Sequence, residues 1–341
     1  MIVRFIAGAC LLLWVATLMP VVGRAADNPP KARSFAPGVI TVIPPEHEIS
    51  ETFAGPQPYL ELMKGLADLE WTPNQSPKSA TLLEKAKTVT FRRTIWHLEF
   101  AFKPLRRVYV DIPQASGRMQ RKLIWYMVYK VKNIGNDLKP NPKEFDLGHE
   151  PKEDFKATVV DVDRANSEGL RFFPQFLFRG RVLEGQNYVT KEYMDRIIPA
   201  ANEAIAERER VGVPLLNTVE ITKSPIPLST EKIDRSIWGV VTWEDIDPRI
   251  DYFSLFLQGL TNAYKFKDYP DQFQKDSPPT TGRRYVYKTL QINFWRPGDS
   301  VLEHEEEIQY GVRLDPDQDK QLQILKHYGL QKPLDYLWLY R

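Results

Sequence analysis

The sequence predicts a mainly β, sandwich-like protein, built as one large or two related sandwiches with a few short peripheral helices. Three observations carry that prediction. From Val89 onward, short runs rich in aromatic and β-branched residues recur, several of them alternating apolar and polar positions at period two. Clusters of Pro, Gly, Asn and Asp punctuate those runs, as turns between strands require. Convincing helical spacing in this body is confined to two stretches, which places helices at the edges of a sheet architecture.

Taken in order, residues 1–25 read as a secretory signal peptide: Arg4, then the apolar run Phe5–Met19, then Pro20, then Gly23-Arg24-Ala25 with small residues at −3 and −1. The competing readings are an uncleaved anchor, since Phe5–Val22 is close to the minimum bilayer span, and a lipoprotein cysteine at Cys10. The apolar run continues well past Cys10, which argues against the second. Export places the mature chain in the periplasm or outside the cell, with no integral membrane span after cleavage. Cleavage would remove Arg4, Arg24 and the single cysteine, leaving 44 basic and 44 acidic residues. A neutral surface of that kind argues against a nucleic-acid partner. A chain without cysteine has no disulfide, thiolate metal site or cysteine nucleophile. At this length it can bury enough surface without cross-links.

Residues 26–84 form a proline-rich, partly helical lead-in, with Leu62, Leu66 and Leu69 at helical spacing over Tyr59–Leu69 and a capping box at Thr81 and Glu84. A first β-rich domain or half spans 85–188. In Ile95–Phe102, Trp96, Leu98, Phe100 and Phe102 share one face. In Leu123–Val131 both faces are apolar, which predicts an interior strand covered on both sides and ending at the Asn133–Asp137 turn. Lys156–Val162 and Arg171–Arg179 are further strands. Residues 189–230 form a helix and a proline-bearing linker, the helix being Thr190–Val211 with Tyr193, Ile197, Ala201 and Ile205 as its stripe and a break at Pro199. Val219–Lys223 is a strand candidate. The second β-rich half, 231–341, holds Ile237–Trp243, Tyr252–Leu260, Tyr285–Trp295 and Leu334–Tyr340, plus a helix over Asp315–Tyr328 with Asp315 as N-cap, Pro316 first and Gln318 closing a capping box. Gln120–Asp137 and Arg283–Ser300 resemble each other: a basic start, an aromatic strand, and a turn with Gly and Asp.

Motifs for chemistry are sparse. His304-Glu305 and His47-Glu48 each lack the second histidine of a zincin helix. The Asp315–Asp319 acids lack the EF-hand glycine and glutamate. Asp161, Asp163 and Asn166 at the end of a strand are weak calcium candidates and equally ordinary turn residues. No GxSxG elbow, P-loop or GxGxxG segment is present, and no cofactor is expected. The densest constellation is Trp243–Tyr252. There Glu244, Asp247 and Asp251 are candidate catalytic carboxylates, because glycoside hydrolysis needs only a suitably spaced pair of acids. Trp243, Arg249 and Tyr252 are candidate ligand contacts. The plain alternative is a solvated turn in which Arg249 neutralises the acids and Trp243 caps the core.

The runs RRTIWHLEFAFKPLRRVYVDIP, GRMQRKLIWYMVYKVKNIG and GVVTWEDIDPRIDYFSLFLQGLTNAYKF resemble a group of uncharacterised exported proteins of planctomycete bacteria, from about residue 85 onward. That resemblance implies an envelope protein and no activity. The expected function is a non-enzymatic scaffold or binding protein, its partner an envelope protein or a polysaccharide. The alternative is a carbohydrate-active hydrolase working through the 243–252 loop. An outer-membrane barrel, suggested by the alternation of Leu334–Tyr340, lacks a lipid-facing band in the other strands.

Overall fold

The computed structural model describes residues 40–60, 81, 84–114, 116–140, 157–160, 169–272, 281–297 and 307–341. The signal segment, most of the expected Tyr59–Leu69 helix and the calcium candidates Asp161, Asp163 and Asn166 lie outside them.

The first strands are β1 (Thr41–Ile43), β2 (Phe53–Gln57), β3 (Val89–Arg92), β4 (Leu98–Phe102), β5 (Arg106–Pro113) and β6 (Met119–Asn133). Next come β7 (Asp137–Pro140), β8 (Ala157–Val160), β9 (Leu170–Arg171), β10 (Gln175–Glu184) and β11 (Asn187–Met194), then helices α1 (Pro199–Glu209) and α2 (Glu220–Lys223). The remainder holds β12 (Pro225–Ile226), β13 (Ile237–Glu244), β14 (Tyr252–Gln258), β15 (Tyr264–Asp268), β16 (Arg283–Trp295), β17 (Gln309–Tyr310), α3 (Gln318–Tyr328) and β18 (Tyr336–Tyr340). No helix among the described residues is long and apolar enough to cross a membrane.

Two antiparallel sheets face each other. The first runs β1-β4-β6-β13, with β5 also on β6; the second runs β11-β10-β14-β16-β15, with β17 and β18 also on β16. Period-two alternation decides what each strand gives to the space between them. From β6, Trp125, Met127, Tyr129 and Val131 point inward, to meet Phe176, Phe178, Phe253, Leu255, Leu290, Ile292 and Phe294 of the second sheet. The rings interlock, with Phe178 stacked on Phe253 at 4.4 Å between centroids and Trp125 edge-on to Phe178 at 5.7 Å. Offset and edge-on pairs of this kind add to the area they bury.

The other face of β6 carries Ile124, Tyr126 and Val128. These lie under α1, against Ile198, Ala201 and Ile205. The strand with two apolar faces is therefore covered on both sides, as its sequence requires. The other face of the second sheet is polar yet covered. Ser254, Gln291 and Asn293 bond to one another there, and Gln291 Nε2 and Asn293 Nδ2 donate to the Tyr328 and Leu334 carbonyls.

The long strands β6 and β16 have equivalent surroundings. Two successive strands lie end to end along one edge of each, β4 and β5 on β6, and β14 and β15 on β16. A later strand pairs with the other edge, β13 in one case and β18 in the other.

Three expectations need correction. Thr190–Val211, expected as a helix broken at Pro199, is helical only from Pro199, which occupies the first position; before it, Asn187–Met194 is strand β11, and Tyr193 packs against the main core. Val219–Lys223 is not a strand: Glu220–Lys223 is helix α2 and Val219 its N-cap. Asn217 accepts from the backbone N–H groups of Val219 and Glu220, while the Glu220 side chain accepts from the N–H of Asn217. That reciprocal cap outweighs the β preference of Val219, Ile221 and Thr222. The cap of α3 is Asp317, not Asp315; its side chain takes the N–H groups of Asp319 and Lys320, and Asp315 receives the N–H of Asp317.

Candidate functional site

The 243–252 segment joins β13 to β14, and two apolar residues fix its shape. Ile246 and Ile250 belong to the main core, and Ile250 fills the space that a side chain at Gly180 would occupy. Asp245 adopts the left-handed conformation, φ 56°, that turns the chain. With the isoleucines inward, the acids point outward, and each meets a cation. Glu244 lies 3.0 Å from Lys122 and 3.2 Å from Arg196, and Asp245 lies 2.9 Å from Lys122. Asp247 takes Nε of Arg249 at 2.9 Å and Nη2 at 2.6 Å, together with the Arg249 backbone N–H. Those bonds hold its carboxyl below the usual aspartate value. Asp251 accepts from Arg296 at 2.9 Å.

The candidate ligand contacts are placed differently. Trp243 is completely buried, its ring against Phe176 and Phe178, so it caps the core and shows no face to solvent. Tyr252 lies against His327 and Tyr328, and its hydroxyl receives Arg313 at 3.3 Å. Arg249 is half exposed, bound to Asp247 and 3.6 Å from Glu184. Among the described residues, no group of three or more histidine, cysteine or acidic side chains is placed to hold a metal ion.

A second constellation has no motif in the sequence. Between the start of β5 and the end of α1 lies a cleft of about 300 Å³, whose walls include Arg106, Arg107, Tyr109, Arg208, Glu307 and Ile308. Beneath it the buried Glu209 carboxylate receives Arg106 at 2.8 Å and the Tyr126 hydroxyl at 2.7 Å, with Lys103 Nζ 2.5 Å from its other oxygen. Burial acts to raise the Glu209 pKa, and the bonds from Lys103, Tyr126 and Arg106 overcome it and hold the group ionised. The alternation of β5, with Val108 and Val110 under α1, was the signal that could have found this place.

A third cluster joins the lead-in to the second sheet. Glu51, wholly buried, accepts from Lys288 at 2.5 Å and from the Tyr340 hydroxyl at 2.6 Å, and Lys288 also donates to the Glu46 carbonyl. His97 sits 3.7 Å from Glu51 with both ring nitrogens buried and without a hydrogen-bond partner among the described residues. Its ring lies under His47, centroids 5.1 Å apart. Burial lowers the His97 pKa, keeping it neutral.

Comparison of the chain with protein-family models, with curated proteins and with solved structures found no match. What the fold and these sites define is a class: a two-sheet β sandwich with a shared aromatic core and charged clusters at its edges.

Proposed function

We propose that this is an exported protein of the cell envelope, periplasmic or extracellular, which scaffolds or binds a partner and catalyses no reaction. The observation that carries this reading is the neutralisation of the 243–252 acids. Glu244, Asp245, Asp247 and Asp251 each have a basic partner within 3.2 Å. A glycosidase needs one carboxyl kept protonated and poised as an acid. The bonds from Arg249 push Asp247 the opposite way. The buried Trp243 ring also removes the stacking platform a sugar would use. Export is supported by the leading apolar segment and by the resemblance to exported planctomycete proteins.

The test is to mix the mature chain with purified envelope polysaccharide and measure both co-sedimentation and newly released reducing ends. Co-sedimentation without release is the expected outcome. Release that disappears in the combined Glu244→Gln, Asp247→Asn and Asp251→Asn variant would overturn the reading in favour of the hydrolase.

A further inference from the structure

We infer that β11 is the interface of a homodimer: a second copy of this chain adds its own β11, antiparallel, along the open edge of the second sheet. A dimer of this kind goes beyond the binding reading above and does not depend on it. β11 ends the second sheet, with β10 as its neighbour on one side. Glu184 and Asn187 face each other across a two-residue turn, which makes them a hydrogen-bonded pair and fixes the phase of the ladder. Asn187, Val189, Lys191 and Tyr193 therefore direct their backbone groups to β10, while Tyr188, Thr190, Glu192 and Met194 turn theirs outward. Arg196, in the same phase just beyond the strand, behaves accordingly: its N–H donates to the Thr242 carbonyl, away from β10. Among the described residues, the outward N–H and C=O groups of Tyr188, Thr190 and Glu192 meet no partner.

The devices that usually guard such an edge are missing or disarmed. β11 runs for eight residues without a proline. Lys191 is drawn to Glu184 at 2.9 Å and Glu192 to Arg179 at 2.5 Å, both on β10 of the same chain. Leu183, Tyr188, Val189 and Met194 stand exposed on the same hairpin. The charges choose the occupant. Lys191 and Glu192 are the charged residues of the strand, so a second β11 brings no net charge. Outward residues can pair only with outward residues, so the two-fold axis passes through a residue and not between two. An axis at Lys191 sets lysine against lysine, and one at Glu192 sets glutamate against glutamate, both unfavourable. An axis at Val189 runs Glu192 onto the turn residue Gln186. With the axis at Thr190, threonine meets threonine, Tyr188 meets the second copy's Glu192, and Val189 meets its Lys191. Every outward group of Tyr188, Thr190 and Glu192 is then paired.

Sedimentation equilibrium over a wide concentration range reads the association state, and a reversible dimer is the expected result. Thr190→Pro removes an N–H that β10 does not use, so the hairpin keeps its own ladder, and circular dichroism checks this. Both bonds on the axis are lost, and the dimer dissociation constant should rise about tenfold or more. Crosslinking gives a second reading that does not depend on how the proline variant folds. In a Cys10→Ser background the chain has no thiol of its own. Thr190→Cys then places one on the axis, where paired Cα atoms lie about 5.5 Å apart, within reach of a disulfide. Mild oxidation should link two chains through it, and leave unlinked a chain carrying Tyr287→Cys, half exposed on distant β16. A chain that stays monomeric at the highest concentration reached, or a dimer indifferent to Thr190→Pro, overturns the inference. So does linkage through Thr190→Cys no faster than through Tyr287→Cys.

Discussion

Replacing Lys288 with methionine removes the cation from a carboxylate that has no route to water. Lys288 and Glu51 are 3 % and 0 % exposed at their side chains, and the ammonium-to-carboxylate distance is 2.5 Å. Deleting one partner of such a pair strands the other, at a cost of about 4 kcal/mol. That is a large share of a domain's total stability, about 5–15 kcal/mol. The double variant Glu51→Leu with Lys288→Met removes both charges and should return to within about 1 kcal/mol of the wild type. Urea unfolding followed by tryptophan fluorescence at neutral pH measures all four corners of the cycle. Acid gives an independent reading. Burial pushes the Glu51 carboxyl up, but His97, Lys288 and Tyr340 outweigh it and bring its pKa down to about 2 from 4.5. A lowered carboxylate pKa supplies stability above pH 4.5 and loses it as pH falls towards 2, worth about 3 kcal/mol over that window. Glu51→Gln should abolish that part of the acid response. Additive losses in the cycle, or a Lys288→Met cost below about 1 kcal/mol, would show that the pair is solvated and the reasoning wrong.

His97, its pKa also lowered by burial, supplies stability that starts to be lost as pH falls below its ordinary 6.5. His97→Phe should flatten the unfolding midpoint of the protein from there downward until Glu51 begins to titrate. Gly239→Ala places a Cβ 2.5 Å from the ring of the buried Tyr129, and a melting experiment should show a loss of about 2 kcal/mol. Asp317→Ala uncaps α3, with an expected loss of about 1 kcal/mol, whereas Asp315→Ala should cost less. Arg249→Ala breaks only a half-exposed, solvent-screened pair, and the denaturation midpoint should stay essentially where it is.

The sandwich was legible wherever one strand's pattern determined its surroundings. Trp125 to Val131 with the intervening Ile124, Tyr126 and Val128 demanded cover on two sides, and the second sheet and α1 supply it. Helix ends were less legible, because Asp315 and Asp317 are chemically equal as caps and only the local turn chooses between them. Tyr193 fitted a helical stripe through Ile197 and Ala201 by spacing alone, while ladder pairing with Phe178 on β10 made it a strand residue. The neutral reading of the acidic loop was available from Arg249, two residues from Asp247. Its other cations, Lys122, Arg196 and Arg296, come from distant strands and loops and leave no local trace. Arg106, Arg208 and Glu209 share no local motif either: the alternation of β5 marks a face that must be covered, but only the packing of α1 on it brings the three together.

The order in which the strands enter the two sheets governs how the chain can fold. β10 and β11 of the second sheet precede β13 of the first, so neither sheet is a continuous stretch of sequence. The first sheet stays open along β6 until β13 arrives from beyond the whole β10–β11 hairpin and α1. Its inner aromatics then wait for β14 and β16. Such non-local pairing makes folding slow and leaves sticky strand edges exposed on the way. A cut between the two halves would yield fragments that each lack part of a sheet, so they should survive only by recombining with each other.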